Sequence, residues 1–156
     1  MKHGFVKLAA AVPEILVAAP TKNTDAHCAL IDRAYEDGVH VLVFPELSLT
    51  GATCGDLYLT DSLIQNTLAA LETVKRHTAG KKMLVFVGAP VKAHGKLYNC
   101  AVAISDGAVL GVIPKTKLNA DEMRYFRPWK CEEYMMMQFG GDQAFLKADH
   151  VFACEE

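Results

Sequence analysis

The first half of the chain alternates apolar runs with amphipathic stretches. Short continuous apolar runs, each long enough for one buried strand, cover Phe5–Val12, His40–Phe44 and Met83–Val91. The second run is rich in β-branched residues, which is typical of a strand covered on both faces, and Pro45 should end it because proline cannot donate to a sheet ladder. In the third run, Gly88 allows another backbone to approach closely.

The two amphipathic stretches predict α-helices. Asn23 or Thr24 can cap the first helix, and Gly38 supplies its end. The second helix is predicted over Asp61–Thr78, because apolar residues recur there at helical spacing and Gly80 follows. The apolar face of the first helix is expected to contain Cys28, Ile31 and Tyr35, and that of the second Ile64, Leu68, Leu71 and Val74.

The second half of the chain predicts strands with little helix. Apolar runs over Lys96–Ser105 and Ala108–Ile113 flank an Asp-Gly pair, which is a hairpin signal. A long loop with at most a short helix is predicted over Asn119–Gly141, and further strands are expected to begin at Phe145 and Val151. Two β-α units followed by a hairpin predict an α/β chain with a mixed sheet.

Composition narrows the class of protein. The chain has 156 residues, of which 51% are hydrophobic, so it can fill the core of one domain and is not disordered. With a net charge of −2, the chain has no excess of basic residues of the kind that nucleic-acid binders show. No apolar run approaches the roughly 20 residues of a membrane span.

Five cysteines without a CxxC pair or a secretory signal predict reduced thiols in the cytoplasm. Neither a zinc motif nor a phosphate-binding glycine loop is present, so no metal or cofactor is expected in this part of the protein.

Two charged residues directly follow predicted strands. Glu46 lies two residues after the run ending at Phe44, where open α/β sheets present ligands, and a partly desolvated carboxylate there suits a general base. A glutamate at this position can equally cap the next turn. Lys115 follows the hairpin and Pro114, and it can point into a pocket to stabilise developing negative charge or lie in solvent. Spacing alone does not decide between these roles.

The cysteines divide by position. Cys28 lies on a helix face and Cys100 within a strand, which predicts inert core thiols. Cys54 and Cys131 fall in a turn and a loop, where either thiol could be reactive, but no neighbouring histidine or helix start argues for it. Cys154 ends an apolar run, where a thiol is well placed to act as a nucleophile.

Several stretches together resemble the nitrilase, or carbon–nitrogen hydrolase, superfamily. They occur in family order and span most of the chain. The resemblance is closest to the N-terminal glutaminase domain of glutamine-dependent NAD⁺ synthetases. The matching stretches are VLVFPELSLTG (Val41–Gly51), CGDLY (Cys54–Tyr58), VGAP (Val87–Pro90), KLYNCAVAISDGAVLGVIPKTKL (Lys96–Leu118) and FGGD (Phe139–Asp142).

The resemblance implies an αββα sandwich with a Glu-Lys-Cys triad, of which this chain holds the N-terminal part. Glu46 matches the family's general base, and Lys115 matches the lysine that stabilises the tetrahedral intermediate. Two alignments are open for the nucleophile. One places Cys154 on the family cysteine, and the other places that cysteine just beyond residue 156. Residues 1–156 would then form a carbon–nitrogen hydrolase domain truncated at its C-terminal end.

The resemblance further implies a complete enzyme that passes ammonia from glutamine to a synthetase domain of the same chain. That domain would use ATP and Mg²⁺ to convert nicotinic acid adenine dinucleotide to NAD⁺. An incomplete sheet with an exposed edge favours association, so a homo-oligomer is expected. The stretch Leu118–Phe126 departs from the family, with Glu122 and Tyr125 only loosely in register. The alternatives are a stand-alone amidase or carbamoylase, or an inactive fragment that lacks the nucleophile.

Overall fold

The computed structural model of the chain describes residues 4–130, 133–139 and 141–152. Within these residues the chain forms seven strands and two α-helices around a mixed sheet. Two short 3₁₀ helices cover Gly55–Leu59 and Glu122–Arg124. The strands and α-helices, in chain order, are β1 (Leu8–Ala10), α1 (Pro20–Glu36), β2 (Val41–Val43), α2 (Asp61–His77), β3 (Leu84–Ala93), β4 (Lys96–Ser105), β5 (Ala108–Pro114), β6 (Tyr134–Phe139) and β7 (Asp142–Lys147).

The sheet has the strand order β1-β2-β3-β4-β5-β7-β6. Strands β1, β2 and β3 are parallel neighbours, joined by α1 and α2 as crossover helices. Strand β4 is antiparallel to both β3 and β5, whereas β7 is parallel to β5 and antiparallel to β6. Because both crossovers connect adjacent parallel strands in the same direction, right-handed connections place both helices on one face of the sheet. The mixed α/β sheet predicted from the sequence is confirmed.

The core lies between the two helices and this face of the sheet. Ile31 of α1 and Val74 of α2 are fully buried against Val85, Val87 and the neighbouring strand residues. The opposite face has no helix over it in the described part of the chain, and Val43 and Phe145 there are each 44% exposed. The prediction that the run ending at Phe44 is covered on both faces is therefore wrong for this chain. Among the described residues, no helix has the length and apolar character needed to cross a membrane.

Helix α1 begins earlier than the predicted caps. It starts at Pro20, whose fixed φ suits the first helical position, and Ala19 is its N-cap. Asn23 and Thr24 lie inside the helix and are buried, so their prediction as caps is wrong. The predicted apolar face of α1 is wrong in part, because Tyr35 is 42% exposed and the fully buried His27 takes a place on the inner face. The predicted apolar face of α2 is wrong at Leu68, which is 41% exposed.

Other predicted elements match closely. The α2 helix ends one residue before the predicted boundary, and the β4 strand has the predicted limits. Asp106 and Gly107 both have positive φ, which is the geometry of a tight type I′ hairpin turn.

Three predicted segments differ from the structure. The first apolar run forms only the three-residue β1, because it lies at the edge of the sheet, where Leu8 is 69% exposed. The predicted loop over Asn119–Gly141 contains β6, which pairs along its whole length with β7. Val151 and Phe152 form no strand, and the rest of that predicted strand lies outside the described residues.

The close approach predicted at Gly88 is confirmed. A Cβ at this position would collide with the carbonyl oxygen of Pro45 and the amide nitrogen of Leu47. The amide nitrogen of Leu49 also donates to the Gly88 carbonyl at 3.2 Å. The segment after β2 thus lies directly on the backbone of β3, and this is possible only because Gly88 has no side chain.

We expect Gly88→Ala to destabilise the fold by about 2 kcal/mol, because the new methyl group meets backbone atoms that cannot move aside. For a domain of this size, that loss lowers the midpoint of thermal unfolding by about 5 °C, measurable by calorimetry of the complete natural chain. Gly141→Ala is the matched control, since a Cβ there meets nothing within 4 Å. Equal midpoints for the two variants would contradict the close contact.

Candidate active site

Glu46 is held by a sharply turned segment after β2. The amide nitrogen of Phe44 donates to Phe86 of β3 at 2.9 Å, which extends the strand pairing to the residue before Pro45. The chain then turns at Leu47, which has a φ of +54°. The Glu46 side chain is 50% exposed and points away from the core beneath it.

Lys115 follows β5 and reaches the same edge of the sheet. Strand β3 is parallel to β2, and the two antiparallel pairings from β3 through β4 to β5 restore that direction. The C-terminal ends of β2 and β5 therefore share one edge. Lys115 Nζ lies 2.8 Å from Glu46 Oε1, so the structure brings together the two predicted residues, which are 69 positions apart in the chain.

A second carboxylate, that of Glu122, also binds Lys115. Glu122 Oε1 lies 2.6 Å from Lys115 Nζ, and its side chain is 17% exposed. The other oxygen, Oε2, accepts from the amide nitrogen of Asn119 at 2.9 Å, and the amide nitrogen of Glu122 donates to Asn119 Oδ1 at the same distance. This reciprocal arrangement is a capping box with asparagine as the cap. It fixes Glu122 at the start of its 3₁₀ turn and leaves Oε1 for the lysine.

Asn99 links the two carboxylates. It lies on β4, is 3% exposed, and its Nδ2 donates to Glu46 Oε1 and, at 3.5 Å, to Glu122 Oε1. Its main-chain carbonyl oxygen accepts from the amide nitrogen of Lys115 at 2.8 Å. One buried residue thus sets the spacing of both acids through its side chain and the backbone position of the lysine through its main chain.

The electrostatics keep the cluster ionised. Partial burial alone would lower the pKa of Lys115, but hydrogen bonds to Glu122 and Glu46 outweigh it and raise the pKa above its ordinary value. The hydrogen bond from Lys115 holds the pKa of Glu122 below its ordinary value, against the opposing effect of burial. Lys115 and Glu122 therefore hold each other in their charged forms.

A cavity of about 380 Å³ lies beside the cluster. This volume is in the range that holds a small organic ligand. Glu46, Asn99 and Lys115 form its polar side, and apolar residues of the sheet face, including Phe86 and Ile113, form the rest. The arrangement offers a base and a cation to one small polar molecule.

None of the described cysteines joins this cluster. Burial raises the pKa of Cys100, and Cys54 donates to the carbonyl oxygens of Thr50 and Gly51. Cys28 is partly buried, and desolvation raises the pKa of its thiol. The predictions of inert thiols at positions 28 and 100 are consistent with these environments. The other two cysteines, Cys131 and the predicted nucleophile Cys154, lie outside the described residues.

Sequence reasoning missed Asn99 and gave Glu122 no firm role. Asn99 was visible only as part of the LYNCAV stretch, because nothing in its local pattern marks an amide that bridges distant groups. For Glu122 a usable signal was present. The spacing Asn119-x-x-Glu122 is that of a capping box, which predicts a glutamate whose side chain is fixed by Asn119.

Comparison with known sequences finds relatives that align with most of the chain. The chain is 34% identical over 159 residues to the glutamine-dependent NAD(+) synthetase of Mycobacterium tuberculosis, covering 99% of this chain and 23% of that protein. The enzyme of the same name from Aquifex aeolicus is 36% identical over 123 residues, covering 76% of this chain and 21% of that protein. The chain therefore spans about a quarter of the length of these curated relatives.

Solved structures show the same fold. A glutamine-dependent NAD(+) synthetase from Cytophaga hutchinsonii matches 96% of this chain and 26% of its own, with a TM-score of 0.88 and 22% identity. The enzyme from Acinetobacter baumannii matches 88% of this chain and 26% of its own, with a TM-score of 0.70 and 27% identity. An amidase from Nesterenkonia sp. matches 91% of this chain and 54% of its own, with a TM-score of 0.69 and 20% identity.

The resemblance inferred from the motifs is thereby confirmed at the level of the family. The fold is of the nitrilase type, and Glu46 and Lys115 meet at one edge of its sheet. Residues 7–154 match the carbon–nitrogen hydrolase family model. The chain belongs to the carbon–nitrogen hydrolase family.

Proposed function

We propose that this chain is the glutaminase part of a glutamine-dependent NAD⁺ synthetase. The observation that carries the proposal is the ion pair of Glu46 with Lys115 beside a cavity of small-molecule size. Relatives named glutamine-dependent NAD(+) synthetase that align with 99% of the chain support this choice within the family. The reaction would release ammonia from the side-chain amide of glutamine.

The chemistry follows from the roles that the residue types allow. Glu46, the more exposed of the two carboxylates, would take the proton of a cysteine thiol, and the thiolate would attack the amide carbon. Lys115 would stabilise the oxyanion. The proton on Glu46 would then pass to the leaving nitrogen, so that ammonia departs and a thioester remains. Glu46 would next activate water, which opens the thioester to glutamate and the free thiol.

Glu122 and Asn99 would act on Lys115 and Glu46 rather than on the substrate. Glu122 keeps the ammonium charged and aims it, because its other oxygen is bound to Asn119. Asn99 donates to Glu46 Oε1, which leaves Oε2 of Glu46 for the thiol proton. This separation of roles suits a reaction in which Glu46 must change its protonation state and Glu122 must not.

Two positions compete for the nucleophile. Cys154 is the last residue of the family match, and a cysteine beyond residue 156 is the alternative. Alkylation of the complete natural chain with a glutamine-analogue alkylator, followed by peptide mass spectrometry, distinguishes them. Label on Cys154 assigns it as the nucleophile, and label on a later cysteine assigns the second position.

The rest of the proposed enzyme follows from the relatives. Their greater length would accommodate a synthetase domain on the same chain, where ATP and Mg²⁺ would drive amidation of nicotinic acid adenine dinucleotide by the released ammonia. A homo-oligomer in the cytoplasm stays a prediction. A purified chain that hydrolyses simple amides but not glutamine would instead indicate a stand-alone amidase.

We expect Glu46→Gln to slow labelling by the glutamine analogue by at least about 100-fold, because the amide cannot accept the thiol proton. The measurement is the rate of label incorporation into the complete natural chain. Glu36→Gln is the matched control, since Glu36 is exposed at the C-terminal end of α1 and precedes β2, whereas Glu46 follows that strand. Unchanged labelling in the Glu46 variant would remove the general-base role.

Lys115→Met should lower kcat for glutamine hydrolysis by about 100-fold or more, because the oxyanion loses its cationic partner. Lys117→Met removes an exposed lysine two residues away and should leave kcat within about twofold. Steady-state ammonia release measures both. Similar losses in the two variants would show that overall positive charge, rather than this ammonium, is what matters.

The ion pair of Glu122 with Lys115 predicts a dependence of stability on pH. The folded-state pKa of Glu122 lies below its ordinary value of 4.5, so ionisation stabilises the fold above that pH. The contribution is lost as the pH falls through the lower folded-state pKa. Thermal midpoints of wild type should therefore exceed those of Glu122→Gln at pH 7, with the difference shrinking below pH 4.5. A constant difference across this range contradicts the ion pair.

A further inference from the structure

A histidine lies fully buried beneath the segment that carries Glu46, and the proposed chemistry does not use it. His27 of α1 is 0% exposed, and its partner Ser48 is 2% exposed. A ring with two polar nitrogens is rarely buried so completely unless both nitrogens are hydrogen-bonded. The hydrogen bonds and packing of the His27 ring therefore indicate its role.

The hydrogen bonds define the tautomer. His27 Nδ1 lies 2.8 Å from the carbonyl oxygen of Asn23, which can only accept, so Nδ1 carries the proton. Burial lowers the pKa of His27, outweighing the bond to that carbonyl, so the ring is neutral. The unprotonated Nε2 then accepts from Ser48 Oγ, 2.9 Å away. Serine is the donor, and the imidazole is the fixed acceptor.

The His27 ring contacts one residue before Glu46 in the sequence and one residue after it. Phe44, two residues before Glu46, packs its ring 4.5 Å from the imidazole, measured between centroids. Ser48, two residues after Glu46, is the hydrogen-bond partner. On the same helix, Asn23 Nδ2 donates to the carbonyl oxygen of Leu49 at 2.8 Å. One face of α1 therefore holds the segment before and after the carboxylate.

The segment needs such support. Leu47 adopts a left-handed backbone conformation that is unfavourable for a residue with a Cβ, so the surroundings must impose it. Gly88 permits the close approach beneath but makes only one hydrogen bond to the segment, from Leu49. The imidazole supplies the contacts on either side of the turn.

We propose that His27, as the neutral Nδ1-protonated tautomer, is a positioning residue that fixes Glu46 through Phe44 and Ser48. This inference rests on the proposed glutamine hydrolysis. It assigns His27 to the rate of the chemical step and not to the binding of glutamine, because the ring is sealed from the cavity. A displacement of the base by about 1 Å is enough to lower a rate by about 100-fold.

Three variants of the complete natural chain test the assignment. His27→Phe keeps an aromatic ring against Phe44 and removes both hydrogen bonds, and Ser48→Ala removes one donor with the least change of volume. His27→Gln can still accept from Ser48. The matched control is Thr24→Val, which removes a buried hydroxyl of α1 that bonds only to Pro20 of the same helix.

For His27→Phe and Ser48→Ala we expect kcat for glutamine hydrolysis to fall at least about tenfold, with KM within about twofold. Thr24→Val should keep both constants, and His27→Gln should recover part of the lost kcat. A loss that appears in KM instead, or an equal loss in Thr24→Val, overturns the positioning role. Ser48→Ala retains the test if the histidine variants fail to fold.

Amide hydrogen exchange gives a readout that does not depend on the reaction. In His27→Phe and Ser48→Ala, peptides covering residues 44–51 should exchange faster while peptides of α2 keep their rates. If wild type releases no ammonia from glutamine but residues 44–51 loosen selectively, the proposed function fails and the positioning role stands. If exchange is unchanged or rises uniformly, the positioning role fails whatever the activity.

Discussion

The ammonium of Lys115, shared between two carboxylates, is the interaction on which the site depends. Glu46 and Glu122 come from segments 76 positions apart in sequence, and each binds this cation and the amide of Asn99. Without the positive charge, two ionised carboxylates would face each other and separate, or one would take up a proton. The charge therefore determines the shape of the cluster and holds the pKa of Glu122 below its ordinary value.

The sheet supplies the geometry that this cation needs. One parallel pairing and two reversals return β5 to the direction of β2, so residues that follow the two strands arrive at one edge. On the β2 side, the absence of a side chain at Gly88 lets the turn lie directly on β3, and α1 closes over it through His27. The site is thus set by backbone direction first and by side-chain packing second.

Sequence patterns predicted the elements whose signals are local. The β4 strand and the α2 helix were placed within one residue. Glu46 and Lys115 were candidates because they follow predicted strands, and the family resemblance, not their spacing, assigned their roles. The start of α1 was missed because Asn23 and Thr24 are residue types that cap helices. In the structure, Asn23 accepts from the amide nitrogen of Leu16, and Thr24 donates to the carbonyl oxygen of Pro20 in the first turn of the helix. Asn99 was missed for a related reason, since its role depends on two acids that only the tertiary structure brings near.

Glu122 uses its two oxygens for two different tasks, one on the Asn119 turn and one on the lysine. An aspartate has the same charge but is one methylene shorter, so it could not reach both partners from the same backbone position. The length of this side chain therefore fixes the distance between the Asn119 turn and Lys115. Loss of the charge on Lys115 would therefore change the order of the Asn119 turn. Replacement of Glu122 by a shorter acid or a neutral residue would break the link between this turn and the lysine.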